Sequence, residues 1–125
     1  MQLVTLLQAD FRIDWRTDSI DCDVLAHRQK ALDFLQRVET IGGRVLVHCV
    51  AGVSRSVTIV LMHLMERHGL RLRRAWEYML EVRPFMAPNE GFRLQLAKLE
   101  VRKKHVRSVC RQSTKLWRVM GCGCS

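Results

Sequence analysis

Cys49 and Arg55 are separated by five residues in the string Val45-Leu46-Val47-His48-Cys49-Val50-Ala51-Gly52-Val53-Ser54-Arg55-Ser56. The β-branched run before Cys49 reads as a short buried strand, Arg44–Val47, which delivers the cysteine to its carboxyl end. A glycine-bearing loop follows, and Arg55 opens a helix. Loop amides and a helix N-terminus that converge on one spot favour a bound anion or a thiolate. Cys49 would lie at the floor of that cradle. The helix end and Arg55 would lower its pKa from the ordinary ~8.5 into the range of reactive cysteines. Arg55 can hold two oxygens of a phosphate at once, which lysine cannot. The chemistry on offer is nucleophilic attack by sulfur on an anionic substrate.

The elements that must position these groups are legible from periodicity. Ala9–Trp15 alternates apolar and polar residues, as a half-buried strand does, and Arg16–Asp23 is polar and turn-like. Val24–Val38 places Leu25, Ala31, Leu32, Phe34, Leu35 and Val38 at helical spacings, and Gly42-Gly43 ends that element. Ser54–His68 is apolar nearly all round, which predicts a buried helix, with Gly69 as its stop. Leu72, Ala75, Trp76, Met79 and Leu80 form an amphipathic helix that closes before Pro84. Pro88-Asn89 then offers a turn and an N-cap for a last helix with Phe92, Leu96 and Leu99 on its buried stripe. Strand, helix, strand and three helices, in that order, predict an α/β sandwich with a parallel pair of strands. Met62, Met65, Met79 and Met86 are expected as core filler. His63 and His68 have no acidic or cysteine partner at ligand spacing along the chain and are expected to be ordinary helix residues.

With 125 residues, 48% hydrophobic and 26% charged, the chain is sized for one globular domain, and low-complexity and collagen-like classes are excluded. Its longest apolar runs fall short of the ~18 residues a membrane span needs. Met1–Leu7 carries no basic region of the secretory kind, so a cytoplasmic or nuclear domain without a secretory leader is the expectation. The net charge of +9 is concentrated at the end: residues 101–120 hold Arg102, Lys103, Lys104, Arg107, Arg111, Lys115 and Arg118 and no acid. Such a tail suits an anionic partner or a solvated helix face. The five cysteines are odd in number and show no CxxC spacing, so neither a disulfide framework nor a four-ligand zinc site is expected.

The stretch HCVAGVSRS, taken with VLVHC, the Leu61, Leu64 and Met65 pattern, Arg83-Pro84, Pro88-Asn89-Glu90-Gly91-Phe92 and Gln95-Leu96, resembles the dual-specificity branch of the cysteine-dependent protein phosphatases. The resemblance runs from about Phe11 to Glu100. It implies a three-layer α/β sandwich with a mostly parallel central sheet, a catalytic domain over residues 1–100 and a basic tail over 101–125. It further implies that Cys49 forms a phosphocysteine while Arg55 and the loop Val50, Ala51, Gly52, Val53 and Ser54 bind the phosphate. Ser56 matches the hydroxyl that assists departure of the thiolate, His48 a residue that orients the loop and tunes Cys49, and Asn89 one that steadies the phosphate loop; a plain N-cap role for Asn89 is equally compatible. A general acid must protonate the leaving oxygen. Counting back from Asp33-Phe34-Leu35 selects Asp18, with Asp14, Asp21 and Asp23 as competitors, the last two also candidates to cap the following helix.

Val50, Ala51 and Val53 carry no charge, which disfavours phosphoinositides and suits phosphotyrosine, phosphoserine and phosphothreonine alike. The implied reaction needs no metal and no cofactor. The expected partner is a phosphorylated protein, a protein kinase among the candidates, and nucleic acid is disfavoured because the tail interleaves only Trp117 as an aromatic. Peripheral membrane attachment would use the basic tail with Cys122 or Cys124. Only about ten residues precede Phe11, where the family places several more elements, so the amino-terminal part of the sheet is expected to be missing. A truncated, catalytically impaired module that binds phosphoproteins is the alternative reading.

Overall fold

The structure, a computed structural model, describes residues 18–104, with side chains as far as residue 102. The expected strand Ala9–Trp15, the competing acid Asp14, and Cys110, Cys122 and Cys124 lie outside the described residues. Within them run four α-helices: α1 (Arg28–Thr40), α2 (Arg55–Glu66), α3 (Leu72–Val82) and α4 (Glu90–Lys104). α4 thus continues past residue 100, where the tail was expected to begin.

A helix that is apolar on every side must be surrounded, and α2 is. It packs against α1, α3 and α4, and nine of its residues, from Ser56 to Met65, are buried. Leu61, Met62, Leu64 and Met65 are at most 1% exposed, and they meet Leu32 and Leu35 of α1, Ala75 and Met79 of α3, and Phe92, Leu96 and Leu99 of α4 in one core. Burial of each large apolar side chain contributes about 1.5–3 kcal/mol before the entropy of ordering it is subtracted. The four methionines are buried, as the sequence predicts. Leu70 N–H donates to the Leu64 carbonyl at 3.1 Å, a helix-ending bond made possible by Gly69 at φ +69°.

The start of α1 is built by Asp23. Its carboxylate accepts from Leu25 N at 3.0 Å and Ala26 N at 3.2 Å, so the element begins as a 3-10 turn, Val24–His27, before α1 proper. The start of α3 is closed from a distance: Glu100 of α4 accepts from Leu72 N at 2.9 Å. No helix of the described residues is long and apolar enough to cross a membrane.

Arg44–Val47 is not a strand among the described residues. Nor is it buried on both faces, as its β-branched composition suggests: Val45, Val47 and Cys49 are half-buried while Arg44, Leu46 and His48 are exposed, Leu46 by 82%. A strand, however, is defined by a ladder of backbone hydrogen bonds to a neighbour. The neighbour expected from the sequence lies outside the described residues, and the parallel pair goes with it.

At the carboxyl end of α2, Glu39 of α1 reaches His63 and His68. Burial, reinforced by the positive charges of His68 and Arg67, pushes the His63 imidazole down to about 4. The expectation that both are ordinary helix residues is therefore corrected, since His68 lies past the end of α2 and both meet Glu39. The partner comes from another helix, which linear spacing cannot reveal.

Candidate active site

The segment Cys49–Ser54 bridges the core-facing run 43–49 to the amino end of α2. The thiol of Cys49 is half-buried; Gly52 N–H points at it, 3.2 Å from Sγ, and the Ser56 hydroxyl lies 3.3 Å away. Desolvation opposes ionisation of this thiol. It is outweighed by hydrogen bonds from the Ser56 hydroxyl and from the amides of Ser56, Gly52 and Ser54, so the Cys49 pKa falls below its ordinary value. The leading contributions to the lowering are the Ser56 hydroxyl and the loop amides, and the Arg55 guanidinium lies beside Asp18, its Nε 3.9 Å from Oδ2.

The loop holds its turn by one glycine. Gly52 sits at φ +66°, where a side chain is strained, and a Cβ there would lie 2.6 Å from Arg83 Nη2. Arg83 Nε donates to the Gly52 carbonyl at 2.6 Å, and Ala87 N–H donates to the Val53 carbonyl at 2.8 Å. Both bonds engage loop carbonyls, leaving the amide of Gly52 directed at sulfur. Val50 (92% exposed) and Ala51 form the outer rim.

Ser54 is the N-cap of α2, yet its side chain makes no capping bond. Its hydroxyl donates instead to Asp18 Oδ1 at 2.8 Å and accepts from Asn89 N–H at 3.0 Å. The Asn89 side-chain amide also donates to Asp18 Oδ1, while Asn89 Oδ1 accepts from Phe92 N–H at 2.9 Å. Asn89 is therefore both a helix cap and a tie to the acid, the two roles being compatible as anticipated. Of the competing acids among the described residues, Asp18 is the one beside Arg55; Asp23 is occupied as a cap, and Asp21 is exposed with its amide on Ser19 Oγ at 3.3 Å.

His48 is exposed, on the face opposite Cys49, and it makes no hydrogen bond to the loop among the described residues. Alternation along the segment explains this, since adjacent side chains point to opposite faces. Cys22, half-buried, has its thiol pushed up by burial and by Asp23 and Asp18, against a smaller lowering from Arg55. It is a poor nucleophile. A surface hollow of about 520 Å³ lined by Lys30, Asp33, Gln36, Arg37 and Arg67 touches none of the loop residues and is not part of this site.

Three supports were not assigned roles from sequence. Gln95 Oε1 accepts from Val24 N at 2.9 Å and Leu25 N at 3.3 Å, and its Nε2 donates to the Cys22 carbonyl at 2.8 Å. Gly91 lets α4 approach the same segment so closely that a Cβ would lie 2.1 Å from the Ile20 carbonyl oxygen. Arg83 grips the loop at Gly52. A glycine in the first turn of a helix, where it costs roughly 0.5–1 kcal/mol against alanine, was the available signal for Gly91. Nothing local marks the other two.

A low-pKa thiol ringed by backbone amides, an arginine at the first turn of a buried helix and a carboxylate across from it define the phosphate-loop class of cysteine sites. The comparisons with known proteins agree. The dual specificity phosphatase catalytic domain family matches residues 6–102, and the chain belongs to that family. It is 47% identical over 83 residues to dual specificity protein phosphatase 5 of Rattus norvegicus, which covers 66% of this chain and 22% of that one. To dual specificity protein phosphatase 1 of Arabidopsis thaliana it is 42% identical, over 66% of this chain and 42% of that one. The chain thus spans about a fifth of the length of the rat protein. Among solved structures, human DUSP28 superposes with a TM-score of 0.67 at 33% identity, covering 70% of this chain and 59% of the other. The human tyrosine phosphatase-like serine/threonine/tyrosine-interacting protein gives 0.66 at 33%, with 70% and 58% covered. The fold is accordingly phosphatase-like and α/β.

Proposed function

We propose that the chain is a dual-specificity protein phosphatase, hydrolysing phosphotyrosine and phosphoserine or phosphothreonine through a phosphocysteine. The observation that carries this reading is the Cys49 thiol set 3.2 Å from the Gly52 amide and 3.3 Å from the Ser56 hydroxyl, contacts that lower its pKa. In the first step the Cys49 thiolate attacks phosphorus, the S–P bond forms and the P–O bond to the leaving group breaks. Asp18 supplies the proton that the leaving oxygen takes up. Arg55 and the loop amides meet the charge on the equatorial oxygens. In the second step water attacks phosphorus, its proton passes to Asp18, and the S–P bond breaks with the Ser56 hydroxyl donating to the departing thiolate. Asn89 and Ser54 hold Asp18 to the loop, and His48 is left with no assigned step.

The uncharged rim of Val50, Ala51 and Val53 supports phosphoprotein substrates, a phosphorylated kinase among them, as do the names of the relatives. The reading carries with it a three-layer sandwich with a mostly parallel sheet, in which Arg44–Val47 would find its partner strand, and a cytoplasmic domain whose basic tail, with Cys122 or Cys124, meets a membrane surface. A binding-only module would give the lowered thiol no use. The test is phosphate release from a small aryl phosphate with chelator present, by the parent and by Cys49→Ser, alongside a thermal melt. Turnover that survives chelator and drops by at least about 10³-fold in Cys49→Ser is expected. Equal turnover in the two proteins overturns the mechanism, and a folded parent without turnover returns the binding-only alternative.

A further inference from the structure

The second convergence of chemical groups lies at the other end of α2, about 12 Å along the helix from Arg55 at 1.5 Å per residue. His63 of α2, His68 just past it and Glu39 near the end of α1 bring one ligand atom each to within 4.8 Å of one another. His63 Nε2 is 3.5 Å from Glu39 Oε2, His68 Nε2 is 3.4 Å from Glu39 Oε1, and the two Nε2 atoms are 3.3 Å apart. The rings meet edge to face, with centroids 5.0 Å apart and planes at 75°. The side chains of His63, His68 and Glu39 are only 2%, 5% and 12% exposed.

Protons alone leave this triangle frustrated. Each Nε2 carries one hydrogen or none. With a hydrogen on both, each ring donates to the carboxylate, but the two N–H groups face each other. With a hydrogen on one, the bare nitrogen of the other ring faces a carboxylate oxygen. With the carboxylate ionised, every assignment leaves one repulsive edge in a place that water barely reaches.

A cation that takes a lone pair from all three atoms removes that conflict. Bonds of about 2.0–2.1 Å at a tetrahedral angle put ligand atoms about 3.3–3.4 Å apart, which is the spacing found here. Glu39 presents a different oxygen to each ring, so a small rotation of its carboxylate, or two-oxygen binding, completes the set. We propose that Glu39, His63 and His68 form a binding site for a divalent transition-metal ion of the zinc class, stapling the end of α1 to the end of α2. Two imidazoles and a carboxylate are a donor set for such ions rather than for magnesium or calcium, which take oxygen. His63 Nδ1 is buried with no hydrogen-bond partner among the described residues. A missing outer partner of that kind weakens metal affinity by about 10–100-fold, so binding in the micromolar rather than nanomolar range is expected. The site stands apart from Cys49 and is structural in character.

The test uses the full chain, stripped with chelator and titrated with cobalt(II) alone as a spectroscopic stand-in, then with zinc alone. The cysteines are the competing ligands, and sulfur-to-cobalt charge transfer in the near ultraviolet reveals them. The expected result is visible ligand-field bands of four-coordinate cobalt that weaken at least about tenfold in apparent affinity in both Glu39→Gln and His68→Gln. Zinc should raise the Tm of the parent by about 10 °C at a hundredfold excess over Kd, and not that of the variants. Bands unchanged in both variants, cobalt bound only with sulfur charge transfer, or no ligand-field band from a folded parent would each overturn the proposal. Should a variant fail to melt cooperatively, ring resonances of the parent decide. Zinc must shift His63 and His68 together at one equivalent, and failure to do so overturns the site.

Discussion

Replacing Gly91 with alanine should separate the proton-donating function from the nucleophilic one. The added Cβ would meet the Ile20 carbonyl oxygen at 2.1 Å and its carbon at 2.8 Å. Both are backbone atoms, so no side chain can swing aside. Restoring an ordinary contact of at least about 3 Å requires the chain at Ile20 to move about 1 Å away from α4, at a packing cost of about 1–3 kcal/mol. Asp18 lies two residues upstream on that segment, while Gly52 and Val53 of the loop beneath Cys49 are held by bonds from Arg83 and Ala87 that the new methyl does not touch. A displacement of 1 Å in a catalytic group costs on the order of 10²-fold. A phosphoserine peptide, whose leaving alkoxide needs a proton, should therefore lose about 100-fold in kcat. A nitrophenyl phosphate, whose leaving group departs as a stable anion, should lose less than about fivefold, because acid catalysis contributes little there. Asp18→Asn should reproduce the same selectivity without the melt change. The reasoning is refuted if Gly91→Ala keeps full activity on the peptide, or if both substrates fall equally in a protein that still melts cooperatively above the assay temperature.

Two further outcomes can be checked with simpler means. Ser56→Ala removes the leading hydrogen bond that lowers the Cys49 pKa; the thiolate then forms at higher pH, so the acid limb of kcat/KM and the pH profile of Cys49 alkylation should both move upward. No movement would mean the amides alone set the thiol. Gln95→Leu leaves the Val24 amide and the Cys22 carbonyl without their partner, while the Leu25 amide keeps its bond to Asp23. At about 1–3 kcal/mol for a buried unpaired group, a chemical denaturation midpoint should fall by the equivalent of at least 2 kcal/mol, and an unchanged midpoint would show that solvent replaces the side chain.

What could be read in the sequence followed from local rules. The all-round apolar pattern of α2 is enough to place it in the middle, Asp23 precedes a helix start and caps it, and the Cys49 to Arg55 spacing places a thiol beneath a helix end. What could not be read depends on pairs far apart in the chain. Arg44–Val47 has the alternation of a strand, but a ladder belongs to two segments. Glu39 meets His63 and His68 because α1 packs on α2, not because of any spacing. Arg55 lies beside Asp18, a pairing across more than thirty residues that no local spacing announces. Ser54, a natural N-cap, was diverted because Asp18 and Asn89 offered its hydroxyl a better use.

The bonds around Asp18 also set a direction. Oδ1 accepts from the Ser54 hydroxyl and from the Asn89 amide, and the Ser54 oxygen accepts in turn from Asn89 N–H. The single hydrogen of Ser54 is committed, and each bond in the chain polarises the next toward the same oxygen. With Oδ1 occupied, Oδ2, the oxygen facing Arg55, is the one left to hand over a proton in the proposed reaction. The two oxygens of one carboxyl group are thereby made inequivalent. In the proposed reaction the leaving group is then protonated from the Arg55 side, so the bonds around one carboxylate set the side from which a substrate is served.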